Sequence, residues 1–130
     1  MLHSIYLVED HPAMRGAYEM LFSRASDLQL CGSAASAEEA LDVLAHTPCD
    51  LLITDVSLPG MDGICLTEKV RRDRPTMPIL VVSVDEGHRL RAQHAGADTF
   101  LSKSGLARHL LPTIRSLLAE ERDEASGDGA

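Results

Sequence analysis

Short apolar runs alternate with longer segments of helical periodicity along this chain, and this alternation constrains the possible fold more than any other feature. The apolar runs cover Ser4–Glu9, Leu28–Ala34, Asp50–Thr54, Pro78–Ser83 and Asp98–Ser102. Continuous apolar runs of this length are typical of strands that are buried on both faces of a parallel sheet. The pattern therefore predicts an α/β fold, in which helices cover both faces of a five-stranded parallel sheet.

The segments between the apolar runs carry helix start and stop signals. The predicted helices cover 12–25, a segment that begins after Ser36, 64–74, 86–95 and 106–121. Ser36 and Glu39 have the spacing of a capping box at a helix start. Gly96 is the residue type that favours the left-handed conformation at a helix end. The start of the second helix and the end of the fourth are thus marked by local chemistry as well as by periodicity.

The 130 residues fit one compact domain, with 45% hydrophobic and 25% charged residues. We assign residues 1–121 to this domain. Residues 122–130 contain Gly, Ser and acidic residues with almost nothing to bury, and we expect a disordered acidic tail or the stub of a linker there.

The composition excludes several classes of protein. Twelve basic residues against twenty acidic residues give a formal net charge of −8, which disfavours direct binding to nucleic acid phosphates. Three cysteines without CxxC spacing indicate neither a disulfide framework nor a zinc site. No run approaches the roughly 20 apolar residues that a membrane span requires. We expect a soluble, cytoplasmic protein.

Polar residues stand where the predicted strands end. Glu9 and Asp10 follow the first strand, Asp55 the third, Ser83 ends the fourth, and Lys103 follows the fifth. Each residue alone is explained as a helix cap or as a solvated side chain. Together they would meet beyond the carboxyl edge of the sheet, where open parallel sheets bind their ligands. Three acids in one cleft repel one another unless a cation neutralises them, and Mg²⁺ suits such an oxygen-lined site.

Four segments resemble the receiver domains of two-component response regulators, the CheY-like superfamily. They are LVEDHP, LLITDVSLPGMDG, VVS and FLSKSG, which occur in the right order within about residues 4–120. The EDHP string resembles the NarL/FixJ-type subgroup. The resemblance implies a (βα)5 flavodoxin-like fold that accepts a phosphoryl group from a sensor histidine kinase or a histidine phosphotransfer protein.

The resemblance also implies a role for each site residue. Asp55 would be the phosphoacceptor, a carboxylate that is ionised at neutral pH and needs no general base. Asp10 and Asp55 would ligate Mg²⁺ directly, Ser57 would add its backbone carbonyl, and Glu9 would act through a metal-bound water.

The remaining roles concern phosphoryl binding and switching. Lys103 would place its ammonium against a phosphoryl oxygen. Ser83 would donate to another phosphoryl oxygen and move inward, and Phe100 would then fill the space behind it. The short interval from Ser83 to Lys103 predicts a truncated or shifted fourth helix, and Ser104 stands where many receivers have Pro.

The resemblance places partner binding on the face formed by the fourth helix, fifth strand and fifth helix. An output domain or downstream protein would bind there, and a phosphorylation-dependent dimer is compatible with the resemblance. By contrast, the basic residues that end the third helix are interpreted as a solvated cluster that complements the helix dipole. They are Lys69, Arg71, Arg72 and Arg74.

Three functions remain open at this point. The favoured function is a phosphorylated signalling switch, which is not an enzyme except toward its own phosphoryl group. The alternatives are a pseudo-receiver docking module that phosphorylation does not regulate, and a Mg²⁺-dependent phosphotransfer enzyme with a separate substrate. A docking module would not need the full set of Asp10, Asp55, Ser83 and Lys103, and an enzyme would need a substrate pocket for which the chain offers no insertion.

Overall fold

The computed structural model describes the backbone of residues 2–128 and the side chains of residues 2–120. Its strands are β1 (His3–Val8), β2 (Leu28–Ala34), β3 (Leu51–Asp55), β4 (Ile79–Ser83) and β5 (Thr99–Ser102). Its helices are α1 (Pro12–Ser23), α2 (Ala37–Leu44), α3 (Gly63–Asp73), α4 (Arg89–Ala95) and α5 (Leu106–Asp128). A 3-10 turn at Glu86–His88 directly precedes α4. Strands and helices alternate, as the sequence pattern predicts.

The five strands form one parallel sheet in the order β2-β1-β3-β4-β5. The chain passes from β1 to β2 on one side and then crosses to β3 on the other side of β1. In this flavodoxin-like topology a crevice opens beyond the carboxyl ends of β1 and β3. Val8 pairs with Thr54, and Asp55 pairs with Val82, so the strand ends lie level at this crevice.

The sheet separates two hydrophobic cores. In β1, Ile5 and Leu7 pack toward α1 and α5, whereas Tyr6 and Val8 pack toward α2, α3 and α4. All four side chains are at most 2% exposed. Burial on both faces explains why the strand sequences are continuously apolar rather than alternating.

The local helix signals act as predicted. The Ser36 hydroxyl accepts a 3.1 Å hydrogen bond from the Glu39 N–H. Gly96 ends α4 with a φ of 109°, a left-handed conformation that L side chains rarely adopt. The fourth helix is short, as the interval between Ser83 and Lys103 predicts, and the 3-10 turn precedes it.

The end of α5 differs from the prediction. The helix continues to Asp128 instead of ending near Glu121, because no Pro or Gly interrupts residues 121–126. Residues 122–128 are helical in this structure, and residues 129 and 130 lie outside the described residues. The assignment of 122–130 as a disordered acidic tail or linker stub remains a prediction. Among residues 2–128 no helix combines the length and apolar character that crossing a membrane requires.

Candidate functional site

Three strand ends bring their polar residues together at the crevice. The Lys103 ammonium, carried by the loop after β5, lies 3.1 Å from Glu9 Oε1 and 3.0 Å from Asp55 Oδ2. Glu9 is 1% exposed and Asp55 is 4% exposed, so both carboxyl groups are shielded from water. The predicted convergence of Glu9, Asp55 and Lys103 is therefore present in the structure.

For both Asp55 and Lys103, burial and the oppositely charged partner shift the pKa in opposite directions. Burial raises the pKa of Asp55 above its ordinary value of 3.8, Lys103 opposes the rise, and the charge of Glu9 adds to it. Burial alone would lower the pKa of Lys103, but its hydrogen bonds to Asp55 and Glu9, and their charges, raise it. The ammonium is thus held firmly in its charged form between two acids.

Asp10 lies beside this cluster with an unsatisfied oxygen. Its Oδ1 is buried and has no hydrogen-bond partner among the described residues, although His11 Nδ1 lies 3.2 Å away outside hydrogen-bonding geometry. Ligand atoms of Glu9, Asp10 and His11 lie within 4.8 Å of one another. A lone buried carboxylate oxygen in an acidic cluster fits a site that binds a cation.

His11 lies at the rim of this site. Its backbone N–H donates to Glu9 Oε2 over 3.2 Å, and its ring Nδ1 lies 3.4 Å from the same oxygen. Arg15 of α1 donates to the Glu9 carbonyl over 2.8 Å and fixes the strand end. The position of His11 directly after Asp10 was the sequence signal for its place at the rim.

The loop after β3 holds Asp55 against the start of α3. The Gly63 N–H donates to the Val56 carbonyl over 2.9 Å, and Asp62 caps α3 by accepting from the Cys65 N–H over 2.8 Å. A Cβ atom at Gly63 would lie 1.9 Å from the Asp55 carbonyl oxygen. Glycine is therefore required here for close backbone approach. Ser57, in the same loop, lines an open cleft of about 510 Å³ together with Asp10.

Ser83 lies at the end of β4 but faces the 3-10 turn. Its buried hydroxyl accepts from the Asp85 N–H over 3.0 Å and lies 2.9 Å from Nδ1 of His88. His88 also lines the cleft that contains Asp10 and Ser57. No sequence pattern indicated the contact between Ser83 and His88.

Phe100 is already inside the protein. Its ring is 5% exposed, and the Arg89 guanidinium lies 4.8 Å from the ring centroid, a cation–π distance. Arg89 also donates to Glu86 over 3.3 Å. The inward movement expected for Phe100 on phosphorylation stays a prediction.

The basic cluster at the end of α3 is not uniformly solvated, in contrast to the prediction. Arg71 donates to the Gly96 carbonyl, to the Met77 carbonyl and to Asp98 over 2.7–2.9 Å. Arg74 donates to the Leu44 carbonyl. These contacts span the loops between elements, where helix periodicity carries no information.

Comparison with known proteins places this architecture and site in a family. Residues 5–115 match the family model of the response regulator receiver domain. The chain is 31% identical over 120 residues to the nitrate/nitrite response regulator protein NarL of Escherichia coli strain K12, which covers 91% of this chain and 56% of NarL. It is 33% identical over 129 residues to the response regulator Rre1 of Synechocystis, with 96% of this chain and 54% of Rre1 covered.

Solved structures agree with the sequence relatives. A two-component response regulator of the LuxR family from Aurantimonas sp. SI85-9A1 superposes with a TM-score of 0.86 at 31% identity, covering 92% of this chain and 87% of that one. A putative response regulator from Chloroflexus aurantiacus gives 0.84 at 31% identity, covering 92% and 99%.

The chain belongs to the receiver domains of two-component response regulators. Such domains are signalling modules, and these relatives support phosphorylation-based signalling rather than the pseudo-receiver alternative. The chain spans about half the length of the curated relatives it matches.

Proposed function

We propose that this receiver domain takes a phosphoryl group on Asp55 from a sensor histidine kinase or a histidine phosphotransfer protein, and that the modification changes a partner-binding face. The observation that carries this proposal is the buried Asp55 carboxylate, which shares Lys103 with Glu9 beside the unpartnered oxygen of Asp10. An acid placed for stability alone would not leave a buried oxygen without a donor.

The proposed transfer needs little covalent chemistry from the protein. An oxygen of the Asp55 carboxylate forms a bond to phosphorus, while the P–N bond of phosphohistidine or the P–O bond of an acyl phosphate breaks and leaves its electron pair on the donor. No proton has to be removed from Asp55 first, because the attacking group is a carboxylate. Lys103 stays within reach of the phosphoryl oxygens and balances their charge.

The buried Asp10 Oδ1, which lacks a hydrogen-bond partner among the described residues, fits a magnesium ion, and we propose that Asp55 is the second carboxylate ligand. Asp10 and Asp55 would ligate it, the Ser57 carbonyl would add an oxygen, and Glu9 would act through bound water. An ion there would neutralise charge on the acceptor and on the phosphoryl oxygens. Mg²⁺ keeps several waters and commonly uses one or two carboxylates, which suits a cleft open to solvent.

Intact-mass measurement tests the transfer. Incubation with acetyl phosphate and Mg²⁺ should add one phosphoryl group to the parent protein and none to Asp55→Ala. Asp27→Ala, which removes a half-buried acid before β2, is the matched control and should react as the parent does. Equal rates in Asp55→Ala and the parent would exclude Asp55 as the acceptor.

A titration with Mg²⁺ tests the metal site separately. Asp10→Asn should weaken binding relative to the parent, because it removes a carboxylate whose buried oxygen has no hydrogen-bond partner among the described residues. Asp50→Asn is a suitable control, since Asp50 accepts from the Ser4 N–H before β3. Equal affinities in Asp10→Asn and the parent would remove Asp10 from the site.

The output of the domain is proposed to pass through the face formed by α4, β5 and α5. Arg89 of α4 contacts both Glu86 in the turn before α4 and Phe100 of β5, so it links elements of this face. One solved structure with the same fold is that of a DNA-binding response regulator of the LuxR family from Staphylococcus aureus. We propose a DNA-binding output domain or a separate downstream protein as the recipient of the signal, with dimerisation on phosphorylation as one form of output.

A further inference from the structure

We propose that His88 is a positioning residue that holds the Ser83 hydroxyl in the unmodified protein and competes with the phosphoryl group for its proton. The inference rests on the proposed function, because it concerns the same phosphoryl group. It starts from the surroundings of Ser83, whose hydroxyl is buried and has two polar neighbours.

The first step is to count the hydrogen bonds that the Ser83 hydroxyl can donate and accept. A serine hydroxyl has one proton to donate and two lone pairs with which to accept. The Asp85 N–H can only donate, so it uses one lone pair of Ser83 Oγ. The single hydroxyl proton remains available for His88 Nδ1, which lies 2.9 Å away.

The second step assigns the form of the histidine ring. The far nitrogen, Nε2, lies 3.8 Å from Asp85 Oδ2, and this carboxylate favours a proton on Nε2. A neutral ring with its proton on Nε2 has a bare Nδ1, which is an acceptor. Ser83 therefore donates to His88.

The third step is that His88 and a phosphoryl oxygen compete for the hydroxyl proton of Ser83. A phosphoryl oxygen is also an acceptor, and one proton cannot serve it and His88 at the same time. Capture of Ser83 by a phosphoryl group on Asp55 must then break the bond between Ser83 and His88. His88 ends the 3-10 turn and directly precedes α4, so its release acts on the start of α4. The signal passes through this exchange of hydrogen-bond partners and needs no inward swing of Phe100.

The structure also supplies space for the released ring. His88 is partly exposed and lines the open cleft that contains Asp10 and Ser57. The ring can turn toward this cleft without displacing either hydrophobic core. Loss of the bond therefore costs about as much as one neutral hydrogen bond.

Ring nitrogen NMR tests the contact in the unmodified protein. The His88 shifts of the parent should show a proton on Nε2 and a hydrogen-bonded Nδ1. Ser83→Ala should shift Nδ1 toward the value of a nitrogen without a partner, and Mg²⁺ with beryllofluoride, a phosphoryl mimic, should do the same in the parent. A proton on Nδ1 in the parent, or an Nδ1 shift that Ser83→Ala leaves unchanged, would overturn the inference.

Binding of beryllofluoride in the presence of Mg²⁺ tests the competition. His88→Phe removes the acceptor and should tighten apparent binding by roughly threefold to tenfold, the value of one neutral hydrogen bond. His88→Asn keeps an acceptor near the position of Nδ1 and should bind as the parent does. His94→Phe changes an exposed histidine of α4 that has no contact with Ser83, and it should also have no effect.

The outcomes separate the two proposals. Unchanged or weaker binding by His88→Phe, beside normal binding by the parent, would overturn the role of His88 alone. Absence of beryllofluoride binding by the parent would overturn the proposed function and this inference with it.

Discussion

Both ends of the sheet carry three acids, but the acids have different surroundings. At the amino end, Asp27, Asp50 and Asp98 precede β2, β3 and β5. Two nitrogens of Arg115 donate to Asp27 over 2.9 Å, and the Ser4 N–H donates to Asp50 over 2.7 Å. Asp98 accepts from Arg71 over 2.7 Å and from the Ile79 N–H over 2.8 Å. Each amino-end acid thus has its own donor.

At the carboxyl end two of the acids share one side-chain donor. Lys103 serves Glu9 and Asp55 together, and one oxygen of Asp10 has no partner among the described residues. Buried carboxylates without donors are costly, so their retention indicates a function rather than a contribution to stability. A shared lysine and a buried oxygen without a donor, rather than the position at a strand end, therefore distinguish this site from the structural acids at the amino end.

The largest expected effect is a loss of stability on removing Arg71, which binds Asp98 at the amino end of the sheet. Arg71→Ala should lower the free energy of unfolding by about 2–4 kcal/mol, because several carbonyl oxygens and Asp98 lose their donor at once. Urea unfolding measures this loss. Arg72→Ala, an exposed neighbour, is the control and should change stability by about 0.5 kcal/mol or less. Similar losses in both variants would show that Arg71 is only a solvated charge.

The next largest effect is expected at the carboxyl end of the sheet. Gly63→Ala should destabilise the protein by about 1–3 kcal/mol and slow phosphorylation, because its Cβ would meet the Asp55 carbonyl oxygen at 1.9 Å. Gly16→Ala, within α1, has no atom within 4 Å of the added Cβ and should stabilise by about 0.5–1 kcal/mol. Unfolding midpoints and acetyl phosphate kinetics check both variants. Wild-type kinetics and stability in Gly63→Ala would contradict the required close approach.

The smallest expected effects are changes in melting temperature, which should have opposite signs for Asp55 at the carboxyl end and Asp27 at the amino end. Burial raises the pKa of Asp55 above 3.8, so Asp55 is easier to protonate in the folded protein than in the unfolded chain. At a pH above this pKa, the Asp55 carboxylate therefore lowers the free energy of unfolding. Asp55→Asn should therefore raise the melting temperature at neutral pH in the absence of Mg²⁺. The gain should disappear as the pH falls through the raised pKa toward 3.8.

Asp27 should behave in the opposite way. The hydrogen bond from Arg115 lowers the pKa of Asp27 from 3.8 to about 2, so its contribution is present above pH 3.8 and is lost as the pH falls through 2. Asp27→Asn should lower the melting temperature slightly at neutral pH, and the loss should shrink with added salt. Melting curves of both variants over this pH range check the pair. Changes of the same sign at neutral pH would contradict the distinction between the two ends.

The sequence predicts the fold and the convergence of the site because both follow from strand position. Apolar runs locate the strands, and Asp55 and Lys103 reach the same edge because parallel strands end there together. The bonds of Arg71 to Gly96 and Asp98 could not be predicted, since they join residues 25 and 27 positions apart through side-chain conformation. The contact between Ser83 and His88 depends likewise on the geometry of a short turn.

The most direct test of the proposed function locates the phosphoryl group in the unmodified sequence, because a substitution at Asp55 removes a proposed metal ligand together with the nucleophile. Protein treated with acetyl phosphate and Mg²⁺ is reduced with borohydride, which converts an aspartyl phosphate to homoserine, and peptides are then sequenced by mass spectrometry. Homoserine at position 55 alone is the predicted result. Homoserine at position 10, or phosphate carried only by a histidine, would contradict the assignment of Asp55 as the acceptor.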